Sequence, residues 1–280
     1  MRLRSLALVA FSAVTLVACT DAPSDTIRIG AIDANQREWH VFQELAREHG
    51  FEVEIVTYGD YTTPNDALAS GQIDLNNFQH LSYLGGYNVR AEEDLVPIAS
   101  TAVYPLGLYF EGGLAEVRGE EVTIPQDAAN QGRAINLLRD AGLVTLREGA
   151  PAHPTPADIL AADSEVTVRP VAPAEVVAAF EEGSAAVIPS SGLALAGVDA
   201  SSALASDDPA DVASEPYTYV WATTPDKVDD ERLNELVDLW HDPAVDEAVI
   251  ESSRGTAVPV DKGRAELQRI LEQEERWFDR

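Results

Sequence analysis

The chain has 280 residues, 45% hydrophobic and 24% charged, with 48 Asp and Glu against 19 Lys and Arg for a formal charge of -29. A chain this long and apolar can bury a sizeable core, which excludes an intrinsically disordered protein. The acidic excess excludes nucleic acid as a partner, because a polyanion is repelled at long range and no basic stripe opposes it.

Residues 1–18 carry Arg2 and Arg4, then an apolar run, and end in small residues just before Cys19, the layout of a secretion signal. A cysteine at that point is where bacterial lipoproteins are cleaved and acylated, so Cys19 reads as a lipidation site. As the only cysteine it leaves neither a disulfide nor a thiol nucleophile for the rest of the chain. Two or more acyl chains would anchor the domain stably to the outer side of the cell membrane. No later stretch is long and apolar enough to span a bilayer, and residues 19–25 (CTDAPSD) read as a polar tether.

From there strands and helices alternate. The pattern predicts a strand over 27–32, a helix over 39–49, a strand over 51–56, a short helix over 65–69, a short strand over 73–75, a helix over 78–87 and a strand over 95–99. A second series follows, with strands over 103–110 and 122–124, a helix over 128–141, a strand over 166–171, a helix over 174–180 and a strand over 185–188. A strong strand over 217–223 and helices over 229–240 and 244–252 complete the pattern. Short connections of this kind predict an α/β architecture with largely parallel sheets. We divide it into two lobes, residues 26–103 with 220–280 and residues 104–219, joined by hinge crossings at Pro105 and Pro216, where a fixed φ is tolerated. Ligands bind in clefts between such lobes.

Enzymatic chemistry finds no support in the motifs. The five histidines are scattered without metal-ligand spacing, and GxSxG, P-loop and GxGxxG patterns are absent, so no metal, cofactor or catalytic residue is expected. Binding residues are better represented. Tyr61, Phe78, His80 and Tyr83 fall within 25 residues and form the mixture of rings and imidazole expected of a pocket wall. His80 and Tyr83, three apart, are expected to share a helix face. Arg133 in NQGR is expected in the first turn of a helix, where backbone N–H groups favour an anion and its fork can grip a carboxylate; Gly132 would let the backbone approach the ligand.

The segments VTYGDYTTPNDALASGQIDLNNFQH, VYP at 103–105, IPQDAANQGRAINLL and EPYTYV, in this order and spacing, resemble the methionine-binding lipoprotein family of the MetQ/NlpA type across essentially all of the mature chain. The resemblance implies a two-lobed periplasmic-binding-protein type II fold and a non-enzymatic receptor of an ABC importer, which delivers methionine or a related amino acid to a permease with ATPase subunits. It implies a side-chain pocket formed by Tyr61, Phe78 and Tyr83 with His80 beside them, and a carboxylate held by Arg133 with Asn130 nearby. Two positions depart from the family, which usually has asparagine where this chain has Pro189 and Tyr219. An amide accepts from an ammonium and donates to a carboxylate at once. Without replacement by Ser190, Ser191, Tyr217 or Asp127, the loss costs about 1 to 3 kcal/mol, and ligand preference is expected to shift to another small carboxylate or a modified amino acid.

The acidic surface also yields a prediction. Screening relieves self-repulsion among like charges, so the melting temperature should rise between low and molar salt; a flat or falling response would remove the acidic excess as its cause.

Overall fold

The computed structural model describes residues 26–190, 192–193 and 197–280. The signal segment, Cys19, the tether and Ser191 lie outside the described residues. The chain runs β1 (Thr26–Ala31), α1 (Arg37–Glu48), β2 (Glu52–Thr57), α2 (Thr63–Ala69), β3 (Leu75–His80), α3 (Leu81–Ala91) and β4 (Val96–Val103). It continues through β5 (Gly107–Tyr109), β6 (Glu121–Pro125), α4 (Ala128–Asp140), β7 (Thr167–Val171), α5 (Pro173–Glu181), β8 (Ala185–Ile188) and β9 (Ala205–Ser206). The last part holds β10 (Thr218–Thr223), α6 (Glu231–Asp238), α7 (Pro243–Ser252), β11 (Val258–Pro259) and α8 (Arg264–Phe278).

Two sheets result, a six-stranded one in the order β11-β4-β10-β3-β1-β2 and a five-stranded one in the order β7-β6-β8-β5-β9. They are mixed rather than largely parallel. β1 pairs in parallel with β2 and β3, and β6 with β7 and β8. β10 runs antiparallel between β3 and β4, and β5 antiparallel to β8 and β9. Each of these two strands follows a crossing between sheets, which brings it in against the direction of its neighbours. The first crossing interrupts the strand expected over 103–110: β4 ends at Val103 and β5 starts at Gly107, with Pro105 between them.

Helix α1 places Trp39, Phe42 and Ala46 on one buried face. There Trp39 and Phe42 meet Trp221 and Trp240, with ring centroids 5.0 to 5.7 Å apart. Helix α8, for which no helix was expected, carries Leu267, Ile270, Leu271 and Glu274 buried at helical spacing, an amphipathic signal that is readable in the sequence.

The largest departure from expectation lies at residues 75–87. The helix begins only at Leu81, so Phe78 stands on β3 and His80 is the N-cap of α3 instead of sharing a helix face with Tyr83. All six residues of β3 are buried, so the strand shows no alternation, and a short run of this kind cannot be told from helix by period alone.

β3 is nevertheless polar; the amides of Asn76 and Gln79 are satisfied locally, while Asn77 Nδ2 has no protein partner. Asn65 of α2 donates to Gln79 Oε1 at 2.8 Å and accepts from Asn76 at 2.8 Å and from Gln79 Nε2 at 2.6 Å. Gln79 Nε2 also reaches Asn76 Oδ1 at 3.0 Å. This network ties α2 to β3 beneath the aromatic wall. Asn65→Ala would orphan two buried amides, so a loss of roughly 2 to 3 kcal/mol in denaturant unfolding is expected; an unchanged midpoint would show that the network contributes nothing.

Candidate functional site

The cleft is built from the C-terminal end of β3 and the start of α3 on one side and from the start of α4 on the other. Asp60 holds the loop carrying Tyr61, its Oδ1 accepting from the N–H groups of Thr62 and Thr63 at 2.7 and 2.8 Å. Tyr83 meets Tyr61 at 5.9 Å and Phe78 at 6.1 Å, both edge to face, a favoured geometry for aromatic pairs. Tyr219 lies opposite His80 in the β10–β3 register, with ring centroids 5.7 Å apart. Tyr61, Phe78, Gln79, His80, Tyr83, Asn130, Pro189 and Tyr219 line a single small cavity of about 10 Å³, the room that one water requires. The walls are thus almost in contact.

His80 joins the two sides. Its Nδ1 accepts the Tyr83 N–H at 3.1 Å, which leaves Nε2 to carry the proton and donate to Asn130 Oδ1 at 3.0 Å. Asn130 is placed by Asp127, the N-cap of α4, which accepts from the Asn130 backbone N–H at 2.9 Å and from Nδ2 at 3.1 Å. Burial and the nearby Arg133 charge push the His80 pKa down to about 3, so the imidazole is neutral. Burial also pushes the phenols of Tyr83, Tyr217 and Tyr219 upward, Tyr217 to about 12. Asp127 and Arg90, which border a neighbouring pocket with Tyr83, and the Arg133–Asp207 pair do not line the cavity.

Arg133 is buried but is not among the residues lining the cavity. It is the sixth residue of α4, in the second turn rather than the first. Nε donates to Asp207 Oδ2 at 2.6 Å, Nη2 to Asp207 Oδ1 at 3.1 Å and to the Tyr104 carbonyl at 2.8 Å. The guanidinium carbon also lies 4.1 Å from the centre of the Tyr217 ring. Gly132 faces protein rather than ligand: a Cβ there would lie 2.8 Å from His153 Cα. Tyr104, Gln79 and Asp207 had no distinguishing signal in the sequence, Asp207 being one carboxylate in an acidic loop.

Tyr104, whose ring meets that of Tyr219 at 4.9 Å, also borders a wider crevice of about 270 Å³ that contains Asp33 and Glu38. Burial raises the Glu38 pKa to about 7, with Ser252 Oγ donating to it at 2.6 Å. Among the described residues no group of three or more His, Cys, Asp or Glu could hold a metal, and no helix is long and apolar enough to cross a membrane.

A profile of the family described as NlpA lipoprotein matches residues 27–261. The chain belongs to the NlpA lipoprotein family. The D-methionine-binding lipoprotein MetQ of Yersinia pestis is 37% identical over 171 residues, 57% of this chain and 63% of that relative. The match therefore spans less than two thirds of that relative's length. Among solved structures, protein PG110 from Staphylococcus aureus superposes with a TM-score of 0.83 at 28% identity, covering 89% of this chain and 99% of that one. An ABC transporter periplasmic substrate-binding protein from Coxiella burnetii gives a TM-score of 0.77 at 32% identity, covering 84% and 100%. This NlpA lipoprotein has the two-lobed α/β fold of type II periplasmic binding proteins, and its family membership agrees with an extracytoplasmic, membrane-anchored location.

The neutral histidine makes a pH prediction. With a pKa of about 3 in the fold and 6.5 free, the unfolded chain takes the proton first, so this group costs stability as pH falls from about 6.5 towards about 3. The stability advantage of the wild type over His80→Gln should therefore shrink between pH 7.5 and 4 in denaturant unfolding. A pH-independent difference would mean that folding does not lower the His80 pKa.

Proposed function

We propose that this protein is a lipid-anchored extracytoplasmic receptor of an ABC importer, not an enzyme, and that it captures methionine or a related amino acid between its lobes for delivery to a membrane permease with ATPase subunits. The observation that carries the reading is the cavity in which Tyr61, Phe78, Tyr83 and Tyr219 face Asn130, with His80 bonded across. A thioether against ring edges gains sulfur–aromatic contact in addition to apolar burial. The relative from Yersinia pestis, described as binding D-methionine, and the substrate-binding protein from Coxiella burnetii support this class of ligand and partner. Lipid on Cys19 would provide the anchor.

In this reading the lobes are residues 26–103 with 220–280 and residues 104–219, hinged at the two crossings. Because the walls nearly touch, a ligand reaches the rings only when the lobes part, and the His80–Asn130 bond is the cross-cleft contact that it must open. Pro189 and Tyr219 favour a derivative of methionine over methionine itself, since neither presents a free amide to a zwitterion.

Saturable binding of methionine or one of its close derivatives should appear in calorimetry and raise the melting temperature, as a ligand that binds only the folded state must do. Tyr61→Ala, at a loop position, should weaken that binding about tenfold by removing apolar contact while leaving the melting temperature of the free protein nearly unchanged. If no amino acid or derivative binds, the receptor reading fails.

A further inference from the structure

We propose that His153 and Glu274 form a latch between the halves of the molecule built on the two sheets. As positioning residues they set ligand affinity by holding the receptor closed, without touching the ligand. The proposal rests on the receptor reading, in which the halves part to admit the ligand.

The pair joins parts of the chain that belong to different sheets. His153 lies between α4 and β7, and its segment is fastened to α4, where Asn136 Nδ2 donates to the Ala152 carbonyl at 2.8 Å. Just beyond it Asp158 accepts from the Thr155 N–H at 2.8 Å and from Arg147 Nε at 2.7 Å, which fixes the same loop. Glu274 is on α8, which is fastened to α3 by the Asn88 amide donating to Glu275 Oε1 at 2.8 Å. Two glycines let these parts come together. A Cβ on Gly132 would lie 2.8 Å from His153 Cα, and one on Gly85 would lie 3.0 Å from Glu274 Cβ. The close approach that NQGR provides therefore serves this contact.

The contact is buried. His153 Nε2 lies 3.0 Å from Glu274 Oε2, and the two side chains are 6% and 5% exposed. The imidazole is also packed against Trp277 and Phe278 of α8, with ring centroids 4.4 and 5.4 Å away. Neither His153 Nδ1 nor Glu274 Oε2 has a hydrogen-bond partner among the described residues, so the pair is held by proximity and not by an aligned hydrogen bond. Such a pair is poised between two states. In the closed form each group offsets part of the other's desolvation, and in an open form water takes both.

Neither residue lines the cavity. Neither lies on residues 104–106 or 207–217, which connect the two sheets, so a rotation of one half against the other separates His153 from α8. A ligand enclosed between the halves is bound by the closed form, and its apparent affinity falls in proportion to the fraction of molecules that are closed. The His80–Asn130 bond closes the cavity from within. His153 and Glu274 add a second closure outside it, and removing one of them leaves the other buried without its polar contact, which favours opening.

Small-angle X-ray scattering of the full chain, with and without saturating L-methionine, tests the latch together with methionine affinity and dissociation rate at fixed pH and salt. His153→Phe keeps a ring against Trp277 and Phe278 but leaves the Glu274 carboxylate unpaired. It is expected to enlarge the radius of gyration of the free protein and to weaken methionine binding about tenfold, chiefly through faster dissociation. Saturating methionine should return its radius of gyration to the wild-type value, which a local packing defect would not explain. Adding Glu274→Leu removes the unpaired carboxylate and should restore both radius and affinity. Glu274→Ala, which leaves the imidazole without its polar contact, should act in the same direction as His153→Phe and supplies the comparison where that variant does not fold. A folded single variant with the wild-type radius of gyration overturns the proposal, and so does a double variant as open as the single one. If the wild type binds no methionine, the ligand reading fails, while the scattering of the free proteins still decides the latch.

Discussion

Burial of the polar strand β3 is the constraint on which the rest of the structure depends. Leu75–His80 lies between β1 and β10 with all six side chains out of water, four of them amide or imidazole. Such a strand is unfavourable unless its polar groups find partners. Asn65 serves Asn76 and Gln79 from below and Asn130 of α4 accepts from His80, while Asn77 Nδ2 has no protein partner. Satisfying β3 therefore requires α2 beneath it and α4 across from it, and those two requirements position the aromatic wall and close the cleft.

The same economy explains the electrostatics of the site. His80 is held neutral because burial disfavours its charged form and Arg133 lies nearby. Arg133 can be buried because Asp207, the Tyr104 carbonyl and the Tyr217 ring surround it. The arginine is held from two directions at once: Tyr104 lies on the first crossing between the sheets, and Asp207 on the segment leading to the second. Arg133 is thereby tied to both connections between the sheets.

Much of the lining of the candidate cavity was legible in the sequence because its residues are close neighbours: Tyr61, Phe78, His80 and Tyr83 fall within one strand–helix passage, with Asn130 on α4. What was misread follows from physical causes. A strand buried on both faces has no alternation, so 78–87 looked helical. A strand that enters a sheet after a crossing runs against its neighbours in a direction that no local pattern encodes, so the sheets looked parallel. Asp207 looked like any surface carboxylate, since its value comes from a contact 74 residues away.

By itself the sequence determined the α/β class, the family and the identity of the cleft's rings, because these depend on local periodicity and on motifs that stay contiguous in the chain. Only the tertiary structure decided what the charged groups do. The partner of Arg133 and the tautomer of His80 depend on distances between segments that folding brings together, and a buried charge takes its meaning from whichever group is placed against it.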